Sequence, residues 1–431
     1  MNVKDSNYQI FKTKSMRNIG IFFIIVITFC FNSNKILGQE KNTISDFYEY
    51  TNREWLDNTI IPKNVSVINN WGVLWDEIID KSIEILSGEV QYELDENNQY
   101  MLIQLQNFYK SAAKSNTDER KRVYLVQKHY PMIFGVIFSK ITIPNDKEEK
   151  IKELIKYLTL AYRQKIENSD HIGEKNIDFF ISILDDIQFK IGAPDISHLP
   201  RMPLLSANSL ETNIKLTEEY QAKIKSEKPN WESPPFETDC RYNYNVNQVK
   251  IYAGTLYASN FSNENITTEL FATIGRTLAH EMTHAFDKFG KKFNKKDWKS
   301  INNSLISQFN QYSIQDIYFV DGETTLQENF ADLGGLEVSL LALQLYLKDK
   351  SSHYSEKAEL DAIRSYFISY AEFWKEKATL EFEISALKRL HTPQKYRAIG
   401  PIYNQDEFYK AFEIDKESKY YIPENMRISI W

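Results

Sequence analysis

Apolar residues recur at helical spacing over long stretches of this chain. Leu102, Leu105 and Phe108 mark one helix, and Ile151, Leu154, Ile155 and Leu158 mark another, within a helix-rich region from residue 98 to residue 190. Upstream, an aromatic-rich run, DFYEYTNREWLDNTIIP, breaks at Pro62, and an amphipathic helix follows around Trp75 to Leu86. From Pro194 to Pro235 the chain is richer in Pro, Ser and Asn, which predicts a connector holding one helix, Leu210 to Ser226. Polar and apolar positions then alternate in YNVNQVKIYAG, so a strand is expected from Tyr242, ending in a turn at Gly254. Helical spacing returns with Leu270, Ile274 and Leu278, predicting a helix over Glu269 to Phe286. There is no internal repeat. These patterns divide the chain into a leader (1–38), an N-terminal segment (39–86), a helical lobe (87–229) and a C-terminal lobe (230–431).

The leader is read from a cationic stretch (Lys12, Lys14, Arg17) followed by IGIFFIIVITFCF at 19 to 31 and the small residue Gly38. That is the pattern of a secretory signal, and it is shorter than the roughly 20 apolar residues a bilayer span needs. The expectation is therefore an exported protein, periplasmic or extracellular, without a permanent membrane span. Cleavage after Gly38 removes five basic residues (Lys4, Lys12, Lys14, Arg17, Lys35) and one acid (Asp5), shifting the net charge of −7 by four to −11. So acidic a chain argues against nucleic acid as a partner. It also leaves Cys240 as the one cysteine, which excludes an internal disulfide. With 26 Tyr and 26 Phe against 14 Gly and 12 Pro, the composition favours packed helices over a turn-rich β design, giving a mainly α fold with a small β-sheet.

Candidate chemistry centres on TLAHEMTHAFD, residues 277 to 287. His280 and His284 are four apart, so they share one face of the predicted helix and their rings can converge on one ion. Zinc accepts imidazole nitrogen, and its catalytic sites take three protein ligands and leave a fourth position to water; Glu281, one residue on, is placed to act as general base. A third ligand is required. The candidate is Glu328 in TTLQENFADLGG, residues 324 to 335, where Asp332 follows four residues later and is suited to accept the free N–H of a ligand histidine. Asp287 is a second orienting acid, and Gly334 and Gly335 are read as allowing close helix contact.

These motifs, in order, resemble the neprilysin and endothelin-converting-enzyme family of zinc metallopeptidases. DFYEYTNREWLDNTIIP, FKIGAPD at 189 to 195, LHTPQKYRAIG at 390 to 400 and the terminal Trp431 extend the resemblance beyond the two core motifs. The resemblance implies a thermolysin-like (gluzincin) catalytic lobe holding one Zn2+ through His280, His284 and Glu328. It further implies Glu281 as catalytic base and acid, Asp332 as support, His391 as the donor to the oxyanion and Arg397 as the group holding a substrate carbonyl. The implied activity is peptide-bond hydrolysis on the amino side of hydrophobic residues, with peptides or polypeptides as partners.

The chain also departs from that family. Asp239 and Cys240 stand where an Asn-Ala pair binds the substrate backbone, Tyr252-Ala253-Gly254 replaces a Pro-Ala-Gly turn, and Arg389 replaces an acid two residues before His391. A block is missing between about Tyr109 and Tyr130, so the helical lobe is expected to be a reduced lid. A peptide-binding protein that keeps the fold with impaired catalysis is the alternative reading.

Overall fold

The computed structural model describes residues 44–115, 117–227, 229, 231–258, 266–350 and 354–431; the leader assigned to 1–38 lies outside them. Helices begin where a side chain replaces the missing backbone acceptor. Asp46 accepts the N–H groups of Tyr48 and Glu49 at 3.1 and 3.3 Å and starts the helix Phe47–Asn58. Asp95, Ser209 and Ser355 do the same for Glu96–Ser111, Leu210–Lys223 and Glu356–Phe373. The amphipathic helix expected near Trp75 is Asn70–Ser87, closed by Gly88 at φ 76°, the left-handed region that glycine enters without strain. The helix-rich region resolves into Glu96–Ser111, Glu119–His129, Pro131–Thr142, Asn145–Glu167 and Glu174–Asp185.

The alternating run is two strands, where one was expected. Cys240–Asn243 and Gln248–Tyr252 form an antiparallel hairpin, and Gln188–Gly192 pairs in parallel with the other side of Gln248–Tyr252. Asn247, at φ 46°, reverses the chain between them, a conformation Asn tolerates better than most residues. Gly254 is likewise not a turn: it lies in the short helix Ala253–Ala258, where an added Cβ would come 2.2 Å from the carbonyl oxygen of Phe236. Its smallness serves a close backbone approach. The hairpin leaves Cys240–Asn243 as an edge strand facing the helix Arg276–Asp287.

Buried apolar side chains form two cores. One gathers Phe47 and Tyr48, the helices Asn145–Glu167 and Glu174–Asp185, and most of the chain after Cys240. The other gathers residues between Ile78 and Phe138 with Ile196 to Ile224, Phe236 and Ala253. The apolar packing thus groups residues 145–187 with the C-terminal lobe, whereas the sequence pattern grouped them with 87–229. An antiparallel pair, Val67–Asn69 with Glu376–Ala378, ties the N-terminal segment to the C-terminal lobe.

Two helices position the site. Arg276–Asp287, entered through a π-helical turn at Phe271–Gly275, packs against Leu326–Lys350. At their crossing a Cβ on Gly335 would lie 2.7 Å from the backbone nitrogen of His280, so only glycine lets the helices come this close. Leu326–Lys350 is long and apolar enough to cross a bilayer, but its apolar surface is consumed inside this core. Behind Arg276–Asp287, the Tyr162 hydroxyl bonds the Ala279 carbonyl and the Thr283 hydroxyl, both at 2.6 Å. Trp431 packs edge-on against Tyr162 and Phe286 and donates to the Gly334 carbonyl.

Candidate active site

His280 and His284 are both buried on the inner face of Arg276–Asp287, with their rings 4.9 Å apart and perpendicular. Each ring is tied at Nδ1. His280 Nδ1 is 2.8 Å from Asp332 Oδ1, and His284 Nδ1 is 2.8 Å from Asp287 Oδ2. A neutral imidazole that donates from Nδ1 has its acceptor lone pair on Nε2, so both Nε2 atoms are prepared to ligate. They face the same carboxylate oxygen: Glu328 Oε2 lies 3.2 Å from His280 Nε2 and 3.8 Å from His284 Nε2.

The donor set suits zinc. Ligands about 2.0–2.1 Å from a tetrahedral ion stand roughly 3.3 Å from one another, and the two observed separations bracket that edge. The three ligand atoms all lie within 4.8 Å of one another. Glu328 Oε2 is buried and, despite its close neighbours, has no hydrogen-bond partner among the described residues, as expected of an atom shaped to meet a cation.

Electrostatics point the same way. Burial pushes the Glu328 carboxyl up, but contacts with His280 and His391 more than reverse this and hold it well below the usual carboxylate range. Asp332 is held low in the same sense: burial opposes, and Arg397 and His280 outweigh it. His280 responds in reverse: burial lowers it, yet Asp332 and Glu328 together push it up to about 9. Two buried carboxylates converging on one imidazole make a place for positive charge.

The match to known proteins covers this constellation. The family model described as peptidase family M13 matches residues 240–428, which include both histidines, Glu281, Glu328, Asp332, His391 and Arg397. Over this stretch, a little under half of the chain, it is similar to peptidase family M13. The neutral endopeptidase of Lactococcus lactis is 25% identical over 350 residues, covering 75% of this chain and 53% of that protein. Human neprilysin is 29% identical over 239 residues, covering 51% of this chain and 32% of neprilysin. The chain spans about half the length of the curated relatives it matches. Among solved structures, the zinc metalloprotease Zmp1 of Mycobacterium tuberculosis in complex with inhibitor aligns with a TM-score of 0.61 at 22% identity, covering 77% of this chain and 54% of that one. A chain of the Haemonchus galactose-containing glycoprotein complex aligns at 0.67 with 14% identity, covering 92% and 98%. These structures share the mainly α architecture.

The remaining candidates surround the donor set unequally. The Glu281 carboxylate accepts the Tyr242 N–H of the edge strand at 2.7 Å. His391 is half-exposed, with Nε2 3.1 Å from Glu328 Oε2. Arg397 grips Asp332 with two hydrogen bonds, Nε to Oδ2 at 2.7 Å and Nη2 to Oδ1 at 2.8 Å, and stacks on Trp374. Asp239 pairs with Arg241, and its carboxyl is pushed up to about 6 by burial, with Arg241 opposing and Glu281 adding. The Cys240 side chain is buried in the first core, so what it presents outward is backbone. Arg389 is exposed over the Phe382 ring.

Some contributors were not foreseen from sequence. Thr392 donates to Asn329 Oδ1 at 2.7 Å inside the core, fixing the loop of His391 to the helix of Glu328. Tyr244 and Gln327 both donate to Asp287 Oδ2, completing the shell around His284. Asn and Thr in these places give no sequence signal, because their meaning lies in partners some 60 residues away. Arg276, one turn before His280, is the third omission.

Proposed function

We propose that this chain is an exported zinc-dependent endopeptidase or oligopeptidase. One observation carries the reading: His280, His284 and Glu328 bring three ligand atoms together from two helices, each histidine locked by its own carboxylate. When bound there, zinc supplies a Lewis acid that lowers the pKa of water and polarises an amide carbonyl. Glu281, anchored by the Tyr242 N–H, takes the proton of the attacking water and delivers it to the leaving amine. His391, open to solvent on one side and beside Glu328 on the other, donates to the oxygen that gains negative charge. Arg397 commits Nε and Nη2 to Asp332, so Nη1 is the group left to meet a substrate carbonyl, while the pair itself holds His280 in its ligand tautomer.

The test is a peptide-mixture digest read by mass spectrometry, with and without a chelator, on the wild type and on Glu281→Gln. Chelator-sensitive cleavage is expected in the wild type. Glu281→Gln is expected to keep its metal and lose at least about a hundredfold in kcat; undiminished turnover in that variant would remove Glu281 from its role. Export belongs to the same proposal, and a mature N-terminus near Gln39 on protein recovered outside the cytoplasm would support it.

A second reading, a peptide-binding protein with impaired catalysis, is favoured by one feature. Arg389 stands where an acid was expected, and among the described residues Glu328 is the one carboxylate within ion-pair distance of His391. Metal retained with no cleavage of any peptide would select this reading.

A further inference from the structure

The open edge of the small sheet carries a charge that the reading above leaves without a task. Cys240–Asn243 ends the strand order: one side pairs with Gln248–Tyr252, and among the described residues no strand pairs with the other. The Tyr242 N–H reaches Glu281 across that open side, which therefore faces the candidate catalytic residues. Backbone groups of an antiparallel strand alternate in direction, so Cys240, two residues earlier, turns its N–H and C=O the same way. An extended peptide laid along this edge gains main-chain hydrogen bonds beside the donor set.

Side chains alternate as well. Cys240 and Tyr242 are buried, whereas Arg241 is exposed and Asn243 half-buried, so Arg241 stands on the solvent face of the strand. Three cations cross that face in register on adjacent strands: Lys190, Lys250 and Arg241. Lys250 is buried and held by Glu232 at 2.7 and 2.8 Å, and Lys190 lies on the far strand. Arg241 is the one at the open edge, with its side chain 47% exposed. Its base is fixed. Nε donates to Asp239 Oδ2, and the Asp239 carbonyl is itself held by the Tyr252 N–H and the Thr255 hydroxyl. Nη1 and Nη2 have no hydrogen-bond partner among the described residues, and Glu237 feels the charge without forming an ion pair. Asp239 thus aims the arm and leaves a two-pronged cationic end facing solvent, a shape that matches a carboxylate.

Residues side by side on neighbouring strands point to the same face, with Cβ atoms about 4.5–5.5 Å apart. The peptide residue lying beside Arg241 therefore presents its side chain to the Nη end. Asp239 exerts no counter-attraction of equal reach, since its side chain is 24% exposed and already spends Oδ2 on Arg241. We infer that Arg241 is a specificity-determining residue, selecting an Asp or Glu side chain at the one substrate position that lies beside it on the edge strand. This rests on the peptidase reading above and concerns a single position of the substrate.

The experiment has a cleavage arm and a binding arm. In the first, peptides carrying Glu, Gln or Lys at one position at a time are digested at low salt by the wild type, Arg241→Glu, Arg241→Gln and Lys190→Glu. At one position the wild type is expected to prefer Glu to Lys by about three- to tenfold in kcat/KM, the range of a cross-strand charge pair. Arg241→Glu is expected to invert the order at that position and leave it unchanged elsewhere; Arg241→Gln is expected to flatten it. Lys190→Glu makes the same change of charge two strands further from the peptide and is expected to alter nothing. If Arg241→Glu melts far below the wild type because it faces Asp239, Arg241→Gln alone decides. In the second arm, the same peptides are titrated into zinc-loaded Glu281→Gln with and without Arg241→Gln, which needs no turnover. A charge preference untouched by Arg241, one shifted equally by Lys190→Glu, or a wild-type preference for Lys at the position Arg241 controls overturns the inference even if the protein is a good peptidase. Binding that follows the charge at residue 241 without any cleavage overturns the peptidase reading and leaves Arg241 in its role.

Discussion

Asp332 shows how much one buried carboxylate does here. Its Oδ1 accepts from His280 and from Arg397 Nη2, and its Oδ2 accepts from Arg397 Nε. Asn in its place offers one acceptor and turns an N–H2 toward a donor, leaving Arg397 buried and unpaired. Asp332→Asn is expected to weaken zinc binding by about 10–100-fold, as loss of a partner to a ligand histidine does, and to lower the melting temperature as well. Chelator competition and thermal melts read the two effects, and unchanged zinc affinity would mean that something else orients His280. Glu372 offers a test with the opposite sign. Burial, with Glu269 adding and Lys375 opposing, pushes it from 4.5 up to about 7. As pH rises through that window the unfolded chain releases its proton before the folded chain does, so the stability this group contributes is present below about 4.5 and lost above about 7. Glu372→Gln is therefore expected to be more stable than the wild type at pH 8, by up to about 3 kcal/mol, with the gap closing at pH 5. Denaturant unfolding at the two pH values decides it; a gain equal at both would assign the effect to something other than ionisation.

At the scale of elements, the histidine and glutamate helices were legible because an amphipathic spacing of four carries both the packing face and the ligand face. The hairpin was not, since the turn between its strands contains no Gly or Pro and depends on Asn247 accepting a positive φ. Periodicity also says which face of Asn145–Glu167 is buried without saying against what, which is why its core was misjudged. Arg276 was invisible for a related reason: an arginine in an apolar helix reads as a surface charge until the aromatic rings around it are seen. The crossing at Gly335 tests whether helix separation sets the site. An added Cβ meets only backbone, at 2.7 Å, 2.9 Å and 3.1 Å, and backbone cannot swing aside as a side-chain tip can. Gly335→Ala must therefore push the two helices apart, at about 1–3 kcal/mol, and carry Glu328 away from both imidazoles. The expected result is a lower melting temperature together with weaker zinc binding. Gly72→Ala is the control: its Cβ meets nothing closer than 3.8 Å at an exposed helix position, so a neutral to stabilising change of up to about 1 kcal/mol is expected.

Over the whole molecule, the second core raises the question of what it covers. It is built from residues 78–138 and 196–224 and reaches the C-terminal lobe through Phe236 and Ala253, the latter opening the helix that follows the central strand. The matched part of the chain spans about half the length of its curated relatives. A reduced lid, as expected from the missing block between Tyr109 and Tyr130, would leave a cleft more open to long substrates. Enclosure limits substrate size by excluding whatever must protrude, whereas an open groove needs only an extended stretch of backbone near the edge strand. Long unfolded polypeptides are therefore expected to be cut with kcat/KM comparable to that of short peptides of matched local sequence. The comparison is made with one octapeptide that the protein cuts, and with the same eight residues placed inside a long unstructured chain. Rejection of the long chain alongside ready cleavage of the octapeptide would show that the helical lobe still closes the cleft. Equal cleavage of both, lost together on chelation, would show that the catalytic lobe works without a full enclosure.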